Sequence, residues 1–244
     1  MSGHSHWAGI KHKKGAADVQ RGKVFSKLSR LISVAAKEGP NPDMNPKLKQ
    51  AIDEAREANM PKDNIEKAIK KGTGELLDGQ VLEEISYEAF GPGGIALIVE
   101  GITDNKNRAL AEVKQILNKY NGKMANEGSV RWLFEKRGIL ALPSKYASKK
   151  EELELKAIEA GALDLNWYEE EGESYLEILC EPEKLEGMKK GLREQNLEWE
   201  TANLGWIAKE EIIVPENELN ACRKMFEELD ENEAVQNIYS NLKN

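Results

Sequence analysis

The chain has 244 residues, 40% hydrophobic and 32% charged, with a formal net charge of −8. These values fit soluble globular structure in two or three small domains and argue against a disordered chain. The longest apolar run falls far short of the roughly 20 residues a membrane span needs, and the first residues lack the apolar stretch of a secretion signal. Cys180 and Cys222 stand far apart with no CxxC spacing, which argues against a disulfide framework or a zinc site. The expected location is cytoplasmic, away from any membrane.

Residues 2–15 have neither helical nor strand period and are rich in Gly, Ser, His and Lys; they are expected to form a mobile arm in the free protein. Apolar residues Val24, Phe25, Leu28, Leu31, Ile32 and Ala35 then recur at helical spacing, so a helix is predicted over about 16–37 and stopped by Gly39-Pro40. Asn45-Pro46 reads as cap and first-turn proline of a second helix. Met60-Pro61 turns the chain into a third, short helix with Ile65, Ala68 and Ile69 inward, ended by Gly72. Together these make a three-helix bundle.

The rest reads as α+β. Strands are predicted at 84–90 and 95–100 across Gly91-Pro92-Gly93-Gly94, a helix at 105–120, and a third strand on which Val130, Trp132 and Phe134 alternate. Residues 139–203 spell βαββαβ, with strands at 139–142, 163–168, 175–180 and 197–202 and helices at 148–160 and 183–195. That is the order of the ferredoxin-like motif. A strand at 212–214, a helix carrying Leu219, Cys222, Met225, Phe226 and Leu229, and a strand at 235–239 close the chain. Three strands with one helix leave sheet surface uncovered, and the C-terminal helix is its expected cover. The expected domains are a basic helical one over 1–77, a discontinuous α+β one over 80–135 and 206–244, and a ferredoxin-like one over 136–205 inserted into it.

Charge is distributed very unevenly. Residues 1–37 hold eight Lys or Arg and one acid, Asp18, for a net +7, so residues 38–244 carry −15. A basic, Gly-punctuated leader on an acidic body points to a polyanion partner, since phosphate neutralisation needs unpaired cations. Lys11, Lys13, Lys14, Arg21, Lys23, Lys27 and Arg30 are the candidate phosphate contacts, with His12 beside them. Trp7 is either a base-stacking platform or an anchor onto the protein's own body.

A second candidate is a phosphate site at Thr103, Asn105, Lys106 and Arg108, where a helix start combines free amides with two cations that oppose the helix dipole. A helix-turn-helix reading of the second and third helices is disfavoured by Asp63 and Glu66 on the would-be reading face. Gly91–Gly94 reads as a turn, because no Lys-Ser/Thr follows it as in a P-loop. No cofactor and no metal centre are expected, apart from what a free Ser2-Gly3-His4 terminus could offer Cu(II) or Ni(II) as a square-planar nitrogen site at His4. The three histidines, His4, His6 and His12, lie outside every expected core, and no catalytic motif is present, so an enzyme is not expected.

The stretches GHSHWAGIKHKK (3–14), RGKVFSKLSRLI (21–32), ANMPKDNIEKAIKKGTGE (58–75), YEAFGPGGIALIVE (87–100), TDNKNR (103–108) and GSVRWLFEKRG (128–138) closely resemble the YebC/PmpR family. His6 and Gly9 depart from the Lys and Asn common there. The resemblance implies a helical bundle plus two α+β domains and a role among probable transcriptional regulators. A mitochondrial relative, the translational activator of cytochrome oxidase, implies work on the ribosome instead. The resulting expectation is a non-enzymatic nucleic-acid-binding regulator of gene expression. One alternative is a ribosome-associated translation factor that binds RNA through the arm. The other is a protein-interaction scaffold whose acidic domains engage partners.

Overall fold

The computed structural model describes residues 18–76, 81–170 and 173–243, with seven α-helices and eight strands among them. The first three helices are α1 (Asp18–Ala36), α2 (Pro46–Glu57) and α3 (Lys62–Gly72). Then follow β1 (Glu83–Phe90), β2 (Ala96–Thr103), α4 (Lys106–Lys119), β3 (Lys123–Met124) and β4 (Phe134–Leu142). The chain continues through α5 (Lys150–Glu159), β5 (Asp164–Glu170), β6 (Glu173–Cys180), α6 (Leu185–Glu194) and β7 (Thr201–Ala208). It closes with α7 (Glu216–Glu231) and β8 (Val235–Ser240).

The helical unit is organised by its apolar stripes and one asparagine. Ile32 of α1, Leu48 and Ile52 of α2, and Ile65 and Ala68 of α3 share a single core. Asn45 caps α2 by accepting the Leu48 N–H, while its Nδ2 donates to the carbonyls of Ala35 and Gly39. One side chain thus joins the end of α1 to the start of α2 and satisfies backbone groups that helix termini leave open. Gly72 lies within α3, and its role is close approach: a Cβ there would sit 2.2 Å from the Ser33 carbonyl oxygen of α1.

Two antiparallel four-stranded sheets form the body, in the orders β3-β1-β2-β8 and β5-β6-β4-β7. On the first, α4 and α7 cover one face, packing Val113, Leu117, Met225 and Phe226 against Leu97 and Val99. On the second, α5 and α6 pack Leu153, Leu185 and Leu192 against Leu140, Leu176 and Ile178. The sheets meet where Ala96, Ile98 and Tyr239 of the first touch Phe134 and Ala208 of the second. Strands β4 and β7 run unbroken through the domain boundaries expected at 135/136 and 205/206. Cys180 and Cys222 are buried and free, as their apolar surroundings imply.

Three expected elements differ. Residues 131–133 form a 3-10 turn, and the third strand of the first sheet is the two-residue β3. The cause is Glu88, buried on β1. Its Oε1 accepts the Gly128 N–H at 2.8 Å, and its Oε2 accepts those of Val130 and Arg131 at 2.6 and 3.0 Å. Amides bound to a carboxylate cannot pair with a neighbouring strand, so the chain turns until Phe134. Burial alone would raise the Glu88 carboxyl, but these three donors and Arg131 together lower it, which keeps it ionised. The last strand of the second sheet is 201–208 rather than 197–202. Leu197 instead closes α6, donating its N–H to the Leu192 carbonyl after Asn196 adopts a φ of 58°. At 212–214 there is a single parallel bridge, Ile212 to Leu242, in place of a strand.

One buried carboxylate works against the fold at high pH. Glu177 on β6 points away from α5 and α6, is 5% exposed, and pairs in register with Asn166. Burial, reinforced by Asp164 and Glu211 and partly relieved by an Asn166 hydrogen bond, pushes its carboxyl up to about 8. The folded protein therefore holds a proton that the unfolded chain releases near the ordinary carboxylate value of 4.5. Stability from this group is full below that value and is lost as pH rises through about 8. Glu177→Gln should melt close to wild type at pH 5. At pH 8.5 it should melt higher, by roughly 2–4 °C per kcal/mol relieved, as calorimetric scans at the two pH values would read.

Candidate nucleic-acid interface

Four of the candidate phosphate-binding cations lie on α1, and three of them face the protein itself. Lys27 donates to Asp230 at 2.7 Å, with the two side chains only 11% and 20% exposed. Arg30 pairs with the Glu233 carboxylate at 2.7 Å and donates to the Glu233 carbonyl as well. Lys23 sits 3.5 Å from Glu231, both largely exposed. These acids cluster at the C-terminal end of α7, which has no basic residue in its last turn. Acids there oppose the negative end of the helix dipole; α1 supplies the cations that α7 lacks. Arg21, two residues before Lys23, also has a partner. Trp7, Lys11, His12, Lys13 and Lys14, and the His4 metal site, lie outside the described residues.

At the start of α4, Thr103, Asn105, Lys106 and Arg108 do come together, but as a capped and neutralised helix end. Asn105 Oδ1 accepts the Arg108 N–H at 3.0 Å, and the buried Thr103 hydroxyl accepts the Asn105 N–H at 3.0 Å. Lys106 pairs with Glu83 at 2.7 Å, and Arg108 with Asp104 at 2.5 Å. The Lys106 ammonium holds the Glu83 carboxyl below its ordinary value. The two first-turn cations are thus tolerated because carboxylates flank them, and a phosphate would have to displace both.

Between the helical unit and the sheets runs a cleft of about 620 Å³. Val24, Phe25 and Leu28 of α1 form part of its wall, and Glu38, Glu54, Glu57, Glu84 and Glu200 outnumber Arg21, Lys27 and Lys47 along it, which disfavours a phosphate. Among the described residues no group of three or more His, Cys, Asp or Glu could hold a metal, and no helix is long and apolar enough to cross a membrane. Sequence reasoning also passed over Trp132, which stands 65% exposed on the turn held by Glu88. Its place in an alternating Val130–Trp132–Phe134 pattern hid it.

The match to known proteins runs along nearly the whole chain. A family model described as the TACO1/YebC protein N-terminal domain matches residues 5–75, and one described as the TACO1/YebC second and third domain matches residues 82–242. The chain belongs to the TACO1/YebC family. A probable transcriptional regulatory protein from Koribacter versatilis is 42% identical over 242 residues, covering 99% of this chain and 95% of its own. Another of that description from Fervidobacterium nodosum is 44% identical over 242 residues, covering 99% and 93%. The crystal structure of a conserved hypothetical protein from Aquifex aeolicus superposes with a TM-score of 0.87 at 43% identity, covering 98% of this chain and 97% of that one.

In this TACO1/YebC protein the α1–α7 contacts should behave as structural ion pairs. A charged hydrogen bond in a half-dry seam contributes about 1.5–3 kcal/mol, so Lys27→Met should cost about 2 kcal/mol in denaturant unfolding. A double-mutant cycle with Asp230→Asn should return most of that as coupling. The exposed Lys23–Glu231 pair should return less than about 0.5 kcal/mol.

Proposed function

We propose that this TACO1/YebC protein is a non-enzymatic, nucleic-acid-binding regulator of gene expression whose external phosphate contacts come from residues 1–17. The observation that carries the reading is the division of charge. Residues 1–17 contain Lys11, Lys13 and Lys14 and no acid, while the cations of α1 meet Asp230, Glu231 and Glu233. Relatives that bear the description of probable transcriptional regulators support a regulatory role. We read the architecture as a basic helical domain over 1–77 and an α+β domain over 80–135 and 206–244, with a ferredoxin-like unit over 136–205 inserted. The strand order β5-β6-β4-β7, with two helices on one face, supports that reading.

Within this function, RNA, with the ribosome as leading candidate, is favoured over sequence reading on duplex DNA. A base reader needs a rigid cationic element that fits the major groove. Here α1 spends its charge on α7, and on α2 and α3 the acids Asp53, Glu54, Glu57, Asp63 and Glu66 interrupt the seven Lys and Arg of those helices. An aromatic-bearing basic segment suits irregular, partly single-stranded RNA. The acidic body limits non-specific coating and offers a surface to protein partners.

Reversing Lys11, Lys13 and Lys14 to Glu should weaken binding to structured RNA, with no change in melting. Its salt dependence should flatten by about 0.7–0.9 for every phosphate that the variant no longer neutralises. On duplex DNA the wild-type protein should prefer any one sequence by less than about tenfold, roughly 1.4 kcal/mol. Unchanged affinity in the triple variant would remove residues 1–17 from the interface.

A further inference from the structure

The turn at 128–133 is built more firmly than a connection between strands requires. Glu88 fixes three of its amides. The Trp132 indole N–H donates to the Ser129 carbonyl at 3.0 Å, and Lys209 Nζ donates to the Trp132 carbonyl at 2.8 Å. The indole is therefore held in place with its polar group already satisfied, and what it offers outward is its apolar ring face. Trp132 is the one aromatic among the described residues that is largely exposed. Burying a tryptophan is strongly favourable, yet no neighbouring side chain closes over this one.

Cations lie on neighbouring residues of the turn and its strands. Arg131 and Lys136 lie 5.5 and 5.8 Å from the ring of Trp206, beside the same turn. Lys136 and Lys209 are exposed, and among the described residues neither has a carboxylate within ion-pair distance. The carboxylates closest along the strands are engaged: Glu88 with the turn amides and with Arg131 at 3.7 Å, Glu100 with the Trp206 indole N–H, Glu135 with Arg137. Glu127 and Glu210 are exposed on either side and interrupt any long phosphate track. A fixed aromatic face with two unpaired cations, Lys136 and Lys209, suits one unstacked base and its flanking phosphates, and suits a duplex poorly.

We infer that Trp132, with the unpaired Lys136 and Lys209 on the flanking strand and turn, is a second nucleic-acid contact that stacks a single unpaired base. The inference rests on the proposal that the protein binds nucleic acid but uses none of residues 1–17. Stacking contributes about 1–3 kcal/mol per base, which converts to at least about a fivefold change in affinity.

The test is fluorescence anisotropy of a labelled single-stranded RNA, and of the duplex of the same sequence, with the full-length protein. Trp132→Ala should weaken the single-strand complex at least about fivefold and leave the duplex complex within about twofold. Trp132→Phe should retain single-strand binding, and melting of both variants should match wild type. Unchanged single-strand affinity in Trp132→Ala, or an equal loss on both ligands, overturns the inference. If reversal of Lys11, Lys13 and Lys14 still weakens binding when Trp132→Ala does not, the proposed function stands and only this site fails.

Discussion

The relation of the helical unit to the body depends on the seam where α1 lies against the C-terminal end of α7. Asp230, Glu231 and Glu233 crowd a helix end that disfavours negative charge, and the helix supplies no cation of its own. Lys27 and Arg30 reach across from α1 and resolve that conflict, and Lys37 adds a bond to the Leu82 carbonyl at the start of the body. Because Lys27 and Asp230 are largely covered, neither can lose its partner without leaving a poorly solvated charge. The seam therefore fixes how α1 lies against the body.

This arrangement divides the basic leader by role. Lys27 and Arg30 of α1 are internal and structural, whereas charge before residue 18 has no acid of its own segment to meet. The division also gives the acidic body a purpose consistent with nucleic-acid binding. Under the proposed function, negative charge over 38–244 would keep most of the surface off phosphates and confine contact to a few places. The turn organised by Glu88 is the place on the body proposed for a second contact, because a buried carboxylate fixes the loop while Trp132 stays exposed.

Much of the fold was legible in the sequence because the periods were clean. The stripe of Val24, Leu28, Leu31 and Ile32 marks α1 and places its last residue within one of Ala36, and Asn45-Pro46 places the start of α2. The α4 helix and the β1–β2 hairpin follow from equally local signals. What escaped depends on residues far apart in the chain. The turn at 131–133 is set by Glu88, some 40 residues earlier, and so its alternation imitated a strand. The cations of α1 looked available because their partners lie 203 residues later at Asp230 and Glu233. At Thr103–Arg108 the cap was readable locally, but the pairing of Lys106 with Glu83 required knowing which strand edge lies beside α4.

The most direct measurement of the central claim is crosslinking in cells with identification of both the nucleic acid and the protein residues attached to it. The account predicts structured RNA, ribosomal RNA foremost, with crosslinks in residues 1–17 and none on Lys27 or Arg30. Recovery of one promoter sequence, with crosslinks along α1, would contradict it.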